Sequence, residues 1–146
     1  MAEYILVLNG PNLNLLGARE PSVYGRNPLP CVIAGLNSLY DGVIDIVDFQ
    51  SNHEGELIDR LHKAGFDPEC RGIVFNAGAY THTSLALADA IRAIPAPVVE
   101  VHISNVAARE SMRHVSLIAP ACLGTITGFG TDVYRLGVNA LLHRDD

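Results

Sequence analysis

Short apolar runs alternate with helix-periodic stretches along the whole chain. "YILVLN" (4–9) is a continuous apolar run closed by the breaker "GPN", which predicts a buried first strand. "PCVIAGLNSLYD" (30–41) predicts a helix, with Pro30 suited to its first turn and Gly35 costing it roughly 1 kcal/mol against alanine. "VIDIVDFQ" (43–50) alternates as a half-buried strand. "EGELIDRLHKAG" (54–65) puts Leu57, Ile58 and Leu61 on one helical face and ends at Gly65, a natural helix stop. Further strands are predicted over 72–78, 96–104 and 121–128. Further helices are predicted over 81–94 and 131–144, the last capped by Thr131 or Asp132.

Five βα units in alternation predict an α/β fold, because each parallel crossover needs a helix. The expected architecture is a flavodoxin-like three-layer sandwich with a five-stranded parallel sheet in the order 2-1-3-4-5. That order opens a ligand crevice at the carboxyl ends of strands 1 and 3. With 146 residues and no repeat or linker, one domain over 1–146 is expected. The helix over 81–94 carries only Asp89 and Arg92 as charges. A solvated helix keeps a broader polar face, so this one predicts a subunit interface.

Composition narrows the function. A net charge of -6 and the lack of a basic run argue against nucleic-acid binding. The start "MAEYILVLNG" has no basic segment, and its apolar run is too short for a signal peptide or membrane span. Cys31, Cys70 and Cys122 form no CxxC pair and suit reduced thiols in a cytoplasmic protein. The histidines show no HxxxH or HExxH spacing, so no metal site is expected. Lys63 is the only lysine, and it falls at a helix C-terminus, where it suits the helix dipole better than imine chemistry.

Candidate chemistry gathers at strand ends. In "VVEVHIS" the two-residue period puts Glu100, His102 and Ser104 on one face. A carboxylate beside an imidazole orients it and favours its protonated form, as a general acid requires. Arg109 and Arg113, four apart, are either a solvated basic edge or a site for a carboxylate or hydroxyls. In "NLNLLGAREPSVYG" (12–25), Arg19 precedes Tyr24 on an irregular loop. Free tyrosine is almost wholly neutral at pH 7, and a nearby guanidinium stabilises the phenolate. The pair suits a tyrosine general base; equally, the loop is held by Arg–Glu pairing with Tyr24 packed at its base. "GTITGFG" (124–130) lacks the third glycine and the following acid of a dinucleotide site.

"LNGPNLNLLGAREPSVYG", "DFQSNHEGELID", "FNAGAYTHTS", "EVHISN" and "RESMRHVS" occur in the order and spacing of type II 3-dehydroquinate dehydratases, and the chain resembles that family throughout. The resemblance implies trans dehydration of 3-dehydroquinate to 3-dehydroshikimate through an enolate, with no metal and no organic cofactor. It implies Tyr24 as base, Arg19 as the group favouring its anion, and Asn12 as stabiliser of the enolate oxygen through a water. His102 resembles the general acid, with Glu100 as its orienter. Ile103 and Ser104 match positions whose backbone amides hold the substrate carboxylate, and Asn76, His82 and Arg113 match binders of ring hydroxyls. Trimers assembled into a dodecamer are implied, with Asp89 reaching a neighbouring subunit's site and the segment around 12–27 acting as a lid. Met112 and Ala108 replace the family's commoner larger residues at positions adjoining the matched ones. A flavin-binding electron carrier of the same fold would need a Ser/Thr-rich phosphate loop, which "NGPNLNLLG" does not offer. A catalytically silent homologue has no reason to keep Tyr24, Arg19, Glu100 and His102 together.

Overall fold

The computed structural model describes residues 2–144. Its strands are β1 (Tyr4–Asn9), β2 (Asp45–Gln50), β3 (Cys70–Asn76), β4 (Val98–His102) and β5 (Gly124–Thr127). All pair in parallel, in the spatial order 2-1-3-4-5 that the βα alternation predicts. The helices are α1 (Pro21–Tyr24), α2 (Leu29–Leu39), α3 (Glu54–Gly65), α4 (Leu85–Ala93) and α5 (Asp132–Leu142).

Side-chain alternation along β1 builds two cores from one strand. Ile5 and Val7 point to one face, where Ile33 and Leu36 of α2 and Val133 and Val138 of α5 cover them. Leu6 and Leu8 point to the other, under Leu57 and Leu61 of α3 and Leu87 and Ile91 of α4. Covered on both sides, every residue of β1 is buried, which is why its sequence is continuously apolar. At the sheet edge, β2 buries Ile46 while Asp45 and Asp48 stay exposed, and this accounts for its alternating sequence.

Three local expectations give way to packing. Gly65 ends α3 without the left-handed conformation of a helix stop. Its role is proximity: a Cβ there would lie 2.4 Å from Ile94 Cβ. The helix predicted over 81–94 is broken. Gly78–His82 form a 3-10 turn, and α4 begins after Ser84, whose hydroxyl accepts from the Leu87 N–H at 3.0 Å. That bond occupies a helix-end donor that would otherwise be unpaired, and it leaves His82 on the strand-end turn. Neither Thr131 nor Asp132 caps α5 through its side chain. Asp132 instead grips Arg135 through two bonds of 2.7 and 2.8 Å.

Strand register sets the cleft. Asn9 pairs with Asn76, and Phe75 with Glu100, so the carboxyl ends of β1, β3 and β4 lie level. The segment between β1 and α2 overhangs them. Leu13 and Leu16 root it in the core, whereas residues 20–23 are exposed. Gly17, at φ +94, has no room for a Cβ, which would stand 3.0 Å from Arg26 O and Pro28 N. The loop from Gly17 to Pro28 therefore closes on its own base. On the far side, α4 turns Leu85 (67% exposed), Ala86 and Asp89 outward. Among the described residues, no helix is long and apolar enough to cross a membrane.

Candidate active site

The polar face of β4 carries Glu100 and His102, which are 1% and 6% exposed. His102 Nε2–H donates to Glu100 Oε2 at 2.5 Å, so Nδ1 is the ring nitrogen left for the cleft. The second carboxylate oxygen, Oε1, accepts from Ser116 Oγ at 2.9 Å. Ser116 itself accepts from the Ala119 N–H at 3.0 Å, which directs the hydroxyl proton to Glu100. His82 stacks against His102, with centroids 6.2 Å apart, and its Nδ1–H donates to Val115 O at 2.8 Å. Two imidazoles thus stand side by side, each held through one nitrogen.

The overhanging loop brings Tyr24 to the same cleft, between two guanidiniums. Arg19 lies over the phenol ring with its Cζ 4.7 Å from the centroid. Arg109 reaches the oxygen: its Nη1 donates to Tyr24 Oη at 2.7 Å and to Ser104 Oγ at 3.3 Å. The sequence singles out Arg19 as the group acting on Tyr24, but the hydrogen bond to the hydroxyl comes from Arg109. Arg109 is braced in turn, its carbonyl accepting from His114 Nε2–H at 2.8 Å.

Glu110 ties the rim together. Its carboxylate lies 3.7 Å from Arg109 Nε and accepts from Arg113 Nε at 3.1 Å. Its own backbone N–H, and then Arg113, hold its carboxyl below the usual range.

Asn12 takes a left-handed conformation, φ 70, at the mouth of the cleft. Its N–H donates to Asn52 Oδ1 at 3.0 Å, so the turn is fixed from β2's end and the side chain stays exposed. Asn76 sits on the floor, with Oδ1 accepting from the Gly78 N–H at 3.2 Å and Nδ2 donating to Tyr134 Oη at 3.0 Å. Ile103 and Ser104 follow β4 where the sheet ladder runs out, with the Ile103 carbonyl taken by the Gly130 N–H at 3.0 Å.

Asn12, Arg19, Tyr24, Asn76, His82, His102, Ile103, Ser104 and Arg113 therefore line one cleft, with Glu100 directly behind His102. Asp89 does not. It stands on the outer face of α4, its side chain 81% exposed and 3.8 Å from Arg92. Three guanidiniums line the cleft, against two exposed carboxylates at its rim, Glu110 beside Arg109 and Arg113 and Glu20 at 3.7 Å from Arg19, so the cleft suits an anionic ligand. Among the described residues, no group of three or more His, Cys, Asp or Glu is arranged to hold a metal ion.

A family model described as dehydroquinase class II matches residues 3–142. The chain belongs to the class II dehydroquinases. It is 56% identical over 147 residues to the 3-dehydroquinate dehydratase of Rhizobium etli, with 97% of each chain covered. It is 59% identical over 138 residues to the enzyme of that name from Exiguobacterium sp., covering 94% of this chain and 93% of the relative. Among solved structures, the type II dehydroquinase of Butyrivibrio crossotus superposes with a TM-score of 0.92 at 42% identity, over 97% of this chain and 98% of that one. The type II dehydroquinase of Propionibacterium acnes gives the same TM-score at 39% identity, over 99% of both chains.

Within this class II dehydroquinase fold, sequence reasoning passes over Ser116 and Tyr134 and leaves Arg109 unassigned. Arg109 carries a local signal, the four-residue spacing from Arg113. Ser116 and Tyr134 carry none, because each meets its partner only through tertiary packing.

Proposed function

We propose that this class II dehydroquinase is a 3-dehydroquinate dehydratase, converting 3-dehydroquinate to 3-dehydroshikimate by trans elimination of water through an enolate. The observation that carries this reading is the Tyr24 hydroxyl facing a guanidinium at 2.7 Å in the same cleft as the His102–Glu100 pair. A base and an acid are thereby available to one ligand. The names of the relatives supply the substrate.

Tyr24, as phenolate, takes the proton α to the ketone. Arg109 donates to its oxygen and Arg19 covers its ring, so the anion is matched by charge on two sides. The electron pair moves onto the ketone oxygen, and Asn12 stabilises this enolate through a water. As the pair returns, the carbon–oxygen bond to the departing hydroxyl breaks, and His102 delivers the proton that completes water. Glu100 balances the imidazolium while the proton is loaded. The product is a conjugated enone.

The amides of Ile103 and Ser104 hold the substrate carboxylate, and Asn76, His82 and Arg113 bind the ring hydroxyls. The segment around 12–27 acts as a lid: its closed base at Gly17 lets Arg19 and Tyr24 swing as one unit and exclude water. The outward face of α4 meets another copy in trimers that build a dodecamer, and there Asp89 reaches the neighbouring cleft. The exposure of Leu85 and Asp89 on that face supports this assembly.

The deciding experiment adds 3-dehydroquinate to the purified protein and follows ultraviolet absorbance of the enone. A rise that persists with a chelator, and with borohydride added to protein and substrate, is the expected result. No rise from folded protein overturns the reading and leaves a silent homologue. Inactivation by borohydride with substrate present points to an imine at Lys63 instead.

A further inference from the structure

Tyr134 lies outside the cleft, on α5, with its ring wholly buried. Its hydroxyl nevertheless reaches the adjoining ends of β1 and β3, where Asn9 and Asn76 are cross-strand partners. Tyr134 Oη is 2.5 Å from Asn9 Oδ1 and 3.0 Å from Asn76 Nδ2. A phenol hydroxyl has one proton to give, so Tyr134 can donate to only one of the two amides.

A backbone group decides which. The Gly78 N–H is a donor that cannot reverse, and the Asn76 atom facing it at 3.2 Å must be the carbonyl oxygen. The other end of the amide, facing Tyr134, is then the NH2 group. Tyr134 therefore accepts from Asn76 and gives its own proton to Asn9 Oδ1. Desolvation raises the Tyr134 hydroxyl far above its ordinary value, so it keeps that proton throughout the working range. Asn9 is fully buried, and its Nδ2 has no hydrogen-bond partner. Asn9 thus makes no competing claim on Asn76.

We infer that Tyr134 is a positioning residue for substrate binding: with the Gly78 N–H it locks the Asn76 amide in one orientation. One Nδ2 hydrogen and one Oδ1 lone pair then remain for a ligand hydroxyl. Without the Tyr134 oxygen, the amide is held at the Gly78 end alone, and its NH2 is free to swing away from the cleft-binding position. This inference rests on the assignment of Asn76 as a hydroxyl binder.

The test is Tyr134→Phe, assayed with 3-dehydroquinate beside the wild type, Asn76→Ala and the double variant. Expected are a rise in KM of about tenfold, the scale of one hydrogen bond to a polar ligand group, and a much smaller change in kcat. In the Asn76→Ala background the same substitution adds no further rise, because the group it positions is gone. An unchanged KM in a folded Tyr134→Phe protein overturns the inference, as does an equal KM rise with and without Asn76. If Tyr134→Phe does not fold, the Asn76 side-chain NH2 of the wild type is followed by NMR instead, assigned by its loss in Asn76→Ala. Strong protection from hydrogen exchange is expected, and exchange at the rate of a free amide overturns the inference. A wild type without dehydratase activity fails the proposed function and is told apart at the first assay.

Discussion

Arg109 donates a hydrogen bond to the Tyr24 hydroxyl at 2.7 Å, although the two residues are 85 positions apart. One belongs to the loop after β1 and the other to the loop after β4. Their contact ties the overhanging segment to the strand that carries Glu100 and His102. Arg19, five residues from Tyr24, meets only the ring face. A donor at the oxygen acts where anionic charge concentrates, whereas a cation over the ring interacts with the weaker quadrupole.

Arg109→Ala is therefore expected to lower kcat by about 10–10³-fold, because it removes the cation beside the hydroxyl that favours the phenolate acting as base. Arg19→Ala is expected to cost less. Steady-state rates of the two variants decide the order, and an Arg19 effect equal to or larger than that of Arg109 contradicts it.

Tyr24→Phe is expected to abolish turnover while product affinity, followed by calorimetric titration, stays nearly unchanged. His102→Ala is expected to lower kcat by about 10²–10⁴-fold, the range of a lost general acid. Loss of binding in Tyr24→Phe would make Tyr24 a contact residue, and a near-wild-type His102→Ala would remove it from the acid role.

Asp89→Ala tests whether neighbouring copies complete the cleft. Its side chain faces away from the cleft of its own chain, so a rise in KM or a smaller assembly in sedimentation is expected only if another copy receives it. Normal kinetics with an unchanged assembly would exclude that role.

Two helix glycines are expected to respond with opposite signs. Gly35 is exposed within α2 with nothing within 4 Å of a built Cβ, so Gly35→Ala should stabilise by about 0.5–1 kcal/mol. Gly65 faces Ile94 at 2.4 Å, so Gly65→Ala should destabilise by about 1–3 kcal/mol through overpacking. Urea midpoints at constant m-value measure both.

Alkaline stability should depend on Tyr4. Burial, and a hydrogen bond to Asp67 at 2.8 Å, push its hydroxyl from 10.0 to about 12. Between those values the folded chain holds a proton that the unfolded chain has released, so stability is complete below pH 10 and falls as pH rises through 12. Tyr134 adds a loss of the same sign. Tyr4→Phe should make the decline across that interval shallower in denaturant midpoints measured against pH.

The order of strands and helices, the pairing of Glu100 with His102 and the family motifs were all legible in the sequence. Each is a property of neighbours along the chain: a two-residue period fixes which side chains share a strand face, and βα alternation leaves few sheet orders. What only the tertiary structure decided lies between distant segments. Arg109 rather than Arg19 meets the Tyr24 oxygen, Ser116 completes Glu100, and Tyr134 enters from 125 residues beyond Asn9. Even local elements were redirected, as where Ile94 gives Gly65 its role and the Ser84 cap keeps His82 off the helix. Local pattern states which way a side chain points, but strand register and helix packing determine what it meets.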